Sequence, residues 1–190
     1  MTIILSYVAI GCITLGTLTS FAADEVKSAD KCPITGKPAD PKCSLEYEGK
    51  TYTFCKSDCR TKFNEDRISS LYHRVGGKTA ISAAVDLFYT KVLADKRVKH
   101  FFEDVNMKRQ HNKQKAFLSA ALGGPEPWAG KDLRKAHASL DLNESHFNAI
   151  AGHLRATLEE LKVTPDLIDQ VMAVAASTKD DVLNRKKDSK

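Results

Sequence analysis

Four of the five cysteines, Cys32, Cys43, Cys55 and Cys59, lie in one short window, and none follows Cys59 in a chain of 190 residues. A chain divided in this way has two means of staying folded. A unit of about 35 residues buries too little apolar surface to hold a fold alone, so thiols must make up the difference through a metal ion or disulfides. The long remainder has no thiol to draw on and depends on a hydrophobic core.

The small unit spans residues 31–66. "CPITGKP" reads as a turn built on Pro33 and Gly36, and "SLEYEGKTYTF" as a β-hairpin of two short aromatic strands around "EGK". "CKSDCRTKF" reads as the start of a helix, on which Cys55 and Cys59 share one face at i, i+4. Cys32 sits in a turn able to fold back across the hairpin. Converging thiolates suit a soft ion such as Zn²⁺ or Cu⁺. Two disulfides are the alternative, which an oxidising compartment favours. A Cys55–Cys59 bridge within a helix is strained, but other pairings are open. With "EYEGKTYTFCKSDC" at its centre, this order of Cys32, Cys55 and Cys59 resembles the YHS/TRASH-like small metal-binding domains. The resemblance implies heavy-metal binding by those three residues, with Cys43 either a fourth ligand or a disulfide partner.

Compartment is read from the first 25 residues. "MTIILSYVAIGCITLGTLTSFAADE" has no charged side chain before Asp24, and Ser20 and Ala22 form a small-x-small pair. Residues 1–22 therefore read as a secretory signal that includes Cys12, although no Lys or Arg precedes the apolar run. The expected location is periplasmic or extracellular; an uncleaved membrane anchor is the alternative, because the run is nearly long enough to span. "AIGC" is a poor lipidation box. The formal net charge is +5, and the basic residues are scattered except in the tail "NRKKDSK". That excludes the concentrated basic patch of a nucleic-acid-binding protein.

Residues 64–69 read as a connector, and residues 70–185 as an all-α unit of single-core size. Ile81, Val85, Phe88 and Val92 recur at helical spacing. Gln110, Gln114, Phe117 and Ala121 share the face of a second helix, with Asn106 as its N-cap and Gly123-Gly124-Pro125 as its stop. Phe147, Ile150, Leu154, Leu158 and Leu161 mark a third. Leu167, Val171 and Val174 mark a fourth, capped by Thr164 with Pro165 at its first position. Helix spacing alone makes Gln110 and Gln114 amides at the edge of an ordinary core. It likewise makes His137, between Leu133 and Leu140, a packed histidine.

The combination says more. "SLYHRVGGKTAI", "DLFYTKVLADKRVKHFF", "NMKRQHNKQKAFLSAALGGPEPWAGKDLRKAH" and "HFNAIAGHL", in this order, closely resemble group I truncated haemoglobins from about Ser70 to Val182. The markers are Gly76-Gly77, Phe101-Phe102, "ALGGPEP" and the histidine of "LRKAH". The resemblance implies a two-over-two helical sandwich around haem b, so the expected fold is mainly α, preceded by a cysteine-rich α+β metal-binding unit. It makes His137 the proximal iron ligand and Tyr89 the distal hydrogen-bond donor to bound O₂. Gln110 and Gln114 take the two distal helix positions, with Gln114 the better placed for ligand contact. Phe102 packs on the haem, Phe88, Phe117 and Leu118 line pocket or tunnel, and Trp128 stands near the rim. Lys113 replaces a histidine that binds iron in some relatives, so exogenous ligands should bind readily and Lys113 is free to pair with a haem propionate. His111 should point off the haem face. Thr178 stands where some relatives carry a haem-linking histidine, so the haem should be non-covalent.

The implied function is binding of O₂, with NO or CO as further ligands. Nitric oxide dioxygenation is the enzymatic alternative, beside peroxidase-like activity. It needs an unidentified electron donor, because no flavin or nicotinamide module is apparent. Metal handling or gas and redox sensing is the third reading.

Overall fold

A computed structural model describes residues 31–185; the proposed signal, Cys12 and most of the basic tail lie outside these residues. The elements are β1 (Asp40–Tyr47), β2 (Lys50–Phe54), α1 (Ser57–Ser69), α2 (Leu71–Arg74), α3 (Gly77–Ala94), α4 (Met107–Ala121), α5 (Leu133–His137), α6 (Glu144–Glu160), α7 (Pro165–Ser177) and α8 (Lys179–Val182). A single 3-10 turn covers Lys99–Phe102. Among the described residues, no helix is long and apolar enough to cross a membrane.

The hairpin forms as expected. Glu48 and Gly49 both adopt positive φ, 51° and 77°, as a tight two-residue turn between twisted strands requires. β1 begins earlier than the aromatic pattern indicates, because an irregularity between Asp40 and Ser44 interrupts the pairing. Phe54 is fully buried, and the Phe63 ring packs on both Tyr52 and Phe54. Cys32 and Cys59 complete this small core.

The expected connector at residues 64–69 is instead the second half of α1. "NEDRIS" is polar but holds no Gly or Pro, and Lys62 pairs with Asp66 one turn on. The boundary at residue 66 thus falls within a helix. Arg67 on that helix lies 4.4 Å over the Tyr47 ring.

The larger body is two helix pairs. α3 packs on α4, α6 packs on α7, and α3 crosses to α6. Val85, Val92 and Val98 are fully buried at the centre, with Ile81, Phe88 and Tyr89 beside them. In α7 the buried residues are Ile168 and Val171, whereas Leu167 is only half-buried. Val171 and Val174 face the core as the spacing indicates, and only the first position of the stripe moves, from Leu167 to Ile168. Thr164 and Pro165 take their expected positions, but the Thr164 side chain makes no capping bond. Asn106 does cap α4, accepting from Arg109 N–H at 3.0 Å. Leu161 is 38% exposed and lies outside the core.

The hairpin is fastened to this body at two points. Glu48 accepts hydrogen bonds from the Tyr72 hydroxyl at 2.7 and 2.9 Å and from Lys78 N–H at 3.0 Å. Gly76 begins α3 with no side-chain cap of its own. A carboxylate from the hairpin therefore satisfies an N-terminal amide of α3, where negative charge is favoured. Gly77 makes room for it: a Cβ there would sit 2.9 Å from Glu48 Oε1. At the second point Glu126, in the α4–α5 loop, accepts from Tyr52 Oη and Lys50 Nζ, both at 2.7 Å. Lys50 and Glu126 are more than half exposed, so the ion pair contributes little. The bond from Tyr52, whose side chain is largely buried, is the stronger tie, on the order of 1.5–3 kcal/mol for a hydrogen bond to a charged acceptor.

Asp95 closes α3. Its carboxylate accepts from Arg97 N–H and guanidinium and lies 2.7 Å from His153 Nε2 on α6. Arg97 first, then His153, holds this carboxyl well below the usual range. A depressed carboxyl stabilises the fold above its unfolded value of about 4 and loses that contribution as pH falls through the folded value. Asp95→Asn should therefore lower the melting temperature at pH 7. The gap to wild type should narrow as pH falls from about 4 towards 2, read by thermal scans across that range.

Candidate functional sites

The first site is built on α3 and α4. The helical period turns Phe88 and Tyr89 inward, and Tyr89 is 2% exposed. Gln110 Nε2 donates to Tyr89 Oη at 3.0 Å. Burial pushes the phenol pKa up, against a smaller lowering by Gln110. The hydroxyl thus stays protonated and, having accepted from Gln110, keeps its own hydrogen to donate. Phe88 and Phe102 meet the ring edge-on at 5.2 and 5.7 Å. Gln114, one turn after Gln110, is half-buried, and Lys113 is exposed.

His111 lies flat against Tyr89, ring centroids 4.6 Å apart and planes 15° from parallel. Its Nδ1 lies 3.0 Å from Asp86 Oδ1, a carboxylate shared with Lys115 at 2.9 Å. Lys115 and His111 hold the Asp86 carboxyl low. His111 thus turns towards α3 and backs the tyrosine. An i, i+4 reading within α4 gives no sign of this contact, which depends on where α3 lies.

The remaining candidate residues lie on α5 and the loop before it. Asp132 caps α5, accepting from Arg134 and Lys135 N–H. His137 Nδ1 lies 2.8 Å from the Leu133 carbonyl. A carbonyl only accepts, so Nδ1 carries a hydrogen, and the neutral tautomer this contact selects has its lone pair on Nε2. α5 packs chiefly on α8, with Arg134 Nε 2.7 Å from Asp181 Oδ1. Trp128 meets Phe117 edge-on at 5.6 Å and donates to the Lys131 carbonyl at 3.0 Å. The indole folds over Gly130, where a Cβ would come within 1.9 Å of it.

Phe88, Tyr89, Phe102 and Gln110 are contiguous. Phe117 and Trp128 form a second group, and no hydrogen bond or ring contact among the described residues joins His137 to either. Neither α4 nor α5 has a fully buried residue; Phe117, Leu118 and His137 are each half-buried. Behind Leu118 lies an apolar cavity of about 170 Å³, lined by Ile81, Ala84, Leu122, Leu158 and Val171 among others. An imidazole whose Nδ1 is held by a carbonyl and whose Nε2 makes no hydrogen bond among the described residues, aromatic side chains and a buried hydroxyl donor form the donor set that haem iron and its ligands require. The residues fit the group.

The second site is the thiol cluster. Cys32 opens a tight knuckle: Gly36 N–H bonds back to its carbonyl, its own N–H bonds to Lys37 O, both at 2.8 Å, and Gly36 takes φ +70°. Cys55 follows the last residue of β2, and Cys59 lies in the first turn of α1. The three sulfurs lie within 4.8 Å of one another, with Cys55 and Cys59 3.6 Å apart. Burial would raise the Cys32 thiol, but hydrogen bonds from Thr35 and nearby backbone amides outweigh it and bring it to about 6. Burial and its two sulfur neighbours push Cys59 up to about 11. All four described cysteines are free thiols. Cys43 does not join the cluster; it lies half-buried on β1 beside the irregular pairing. A four-cysteine cluster is therefore corrected to three among the described residues; a tetrahedral ion bound there would have one position left open.

A family model described as bacterial-like globin matches residues 70–184. The chain is 53% identical over 117 residues to group 1 truncated hemoglobin LI410 of Chlamydomonas moewusii, covering 60% of this chain and 68% of that one. It is 49% identical to group 1 truncated hemoglobin GlbN of a Synechocystis species, covering 62% of this chain and all of the relative. Among solved structures, truncated hemoglobin from Tetrahymena pyriformis in its Fe(III) form shares 45% identity at a TM-score of 0.59, covering 60% of this chain and 98% of that one. Variants of that protein replace one tyrosine and two glutamines, spaced as Tyr89, Gln110 and Gln114 are here. With 115 consecutive residues under one family model and a relative covered over its whole length, this chain belongs to the bacterial-like globins, as a haem-binding group 1 truncated haemoglobin.

Proposed function

We propose that this globin binds O₂ reversibly at haem b held by His137, and that Cys32, Cys55 and Cys59 hold a thiophilic metal ion, Zn²⁺ or Cu⁺. The observation that carries the first reading is the buried Tyr89 hydroxyl, which accepts from Gln110 and keeps a hydrogen to donate. Haem b, when bound, supplies an iron open to diatomic ligands. His137 offers Nε2, and the Leu133 carbonyl fixes its tautomer and ring angle. Tyr89 aims a hydrogen-bond donor at a ligand that gathers negative charge, in surroundings that exclude water. Gln110 orients the phenol, and Gln114 adds a second amide one turn away. Phe88, Phe102, Phe117, Leu118 and Trp128 wall the site with apolar surface, and Lys113 offers a cation to an anionic edge. Secretion, through residues 1–22, is part of this reading.

The test uses the full chain reconstituted with haem, reduced and mixed with O₂. A visible spectrum that changes on oxygenation and reverts on deoxygenation is expected; a spectrum indifferent to O₂ overturns the reading. Sustained nitrate formation from NO, with a reductant supplied, would shift the assignment to dioxygenation.

A further inference from the structure

The thiol cluster is mechanically continuous with the haem-binding half of the molecule. Cys55 directly follows β2, and Tyr52 lies three residues earlier on that strand. The Tyr52 hydroxyl holds Glu126 at 2.7 Å. Burial and the Glu126 carboxylate push the Tyr52 phenol upward, so it stays a donor. Glu126 lies two residues before Trp128, whose ring meets Phe117 edge-on. On the other side of the hairpin, Glu48 holds the first turn of α3, the helix that carries Phe88 and Tyr89. The hairpin therefore touches the start of α3, three turns before Tyr89 on the same helix, and the loop before α5, two residues before Trp128. An ion that draws three thiols together fixes the end of β2, because one of its ligands is the next residue.

We infer that a metal ion on Cys32, Cys55 and Cys59 is energetically coupled to haem and gas binding, with the Tyr52–Glu126 bond as the principal link. This rests on the reading that the thiols hold a metal. Tyr52 and Glu126 are positioning residues: they touch neither haem nor ion and act through the loop that carries Trp128. Coupling of this kind is reciprocal at equilibrium, so haem must alter metal affinity by the factor by which metal alters haem affinity.

The experiment uses the full chain and Zn²⁺, which has no redox chemistry to confuse the iron. Zn²⁺ affinity is measured by competition with a chromophoric chelator, in haem-free and haem-loaded protein. Haem affinity is measured with and without one equivalent of Zn²⁺, and CO rebinding is followed after flash photolysis. The two affinity ratios should agree at about fivefold or more, with CO rebinding altered by Zn²⁺. Tyr52→Phe keeps the ring in the small core and removes only the hydroxyl. It should bind Zn²⁺ while reducing both ratios towards one, and Glu126→Gln, which keeps an acceptor for Tyr52, should retain part of the effect. Zn²⁺ bound at equal affinity with and without haem overturns the coupling and leaves the metal site standing. A Tyr52→Phe protein with the full Zn²⁺ response overturns the route. Wild type that takes up no more Zn²⁺ than Cys55→Ser overturns the metal reading and the coupling with it.

Discussion

His137→Ala should strip the protein of its haem. In the reconstituted variant the Soret band should be weakened and displaced, and haem affinity should fall by more than about 100-fold, beyond what losing a partner behind a metal ligand costs. The size follows from the wall in which the residue sits. Apolar side chains supply most of the surface around the site, and the Nε2 lone pair is the one the Leu133 carbonyl leaves free. α5 has only five residues, so its loss of order would scarcely alter the helical signal. Two measurements separate loss of the ligand from loss of the fold. Helical circular dichroism should be retained, and imidazole added to the solution should restore part of the Soret band. A variant with the wild-type spectrum and affinity would remove His137 from the iron.

Tyr89→Phe should speed O₂ dissociation by about 100-fold, the cost of removing one pre-aimed donor from a dry site. CO, which gathers little charge, should dissociate at nearly the wild-type rate. That contrast identifies the effect as electrostatic, since Phe keeps the ring against Phe88, Phe102 and His111. Because burial raises the phenol pKa above its ordinary value, wild-type O₂ dissociation should stay level from neutral pH to about 10. Stopped-flow measurement of both gases over that range checks the pair. Equal acceleration of O₂ and CO would point to a rearranged pocket.

The helical body and most of its site were legible in the sequence because they are periodic. Ile81, Val85, Phe88 and Val92 declare a buried face by spacing, and all four are buried. The family resemblance places Tyr89 and Gln110 at one site, but that Gln110 bonds to Tyr89 is known only from the structure, since nothing in either helix says that the two touch. The convergence of the thiol trio was legible from the i, i+4 pair and the preceding knuckle, whereas excluding Cys43 required the positions of the sulfurs themselves. What stayed hidden was contact between distant segments. Glu48 reads as an ordinary turn residue and Glu126 as part of "GGPEP", yet each meets a partner tens of residues away. Neither carries a local signal, because the chemistry of a surface carboxylate is the same whether or not a tyrosine is folded against it. The connector was misread for a related reason: polarity marks solvent exposure, and an exposed helix is as polar as a loop.

The single turn that carries His137 has a consequence for the order of events as the chain is made. Five residues cannot hold a helix in water without support, and α5 finds its main packing partner in α8, through Arg134 and Asp181. Chains emerge and fold from the amino end at about 5–20 residues per second. The tyrosine wall, formed by α3 and α4, can therefore assemble well before residues 179–182 leave the ribosome. The imidazole of His137 acquires a fixed bearing only afterwards, so on its proposed role as iron ligand a nascent chain would offer haem an apolar cleft before it offers a ligand. Haem capture would in this sense be a closing step of biosynthesis, completed only when α8 arrives to support α5.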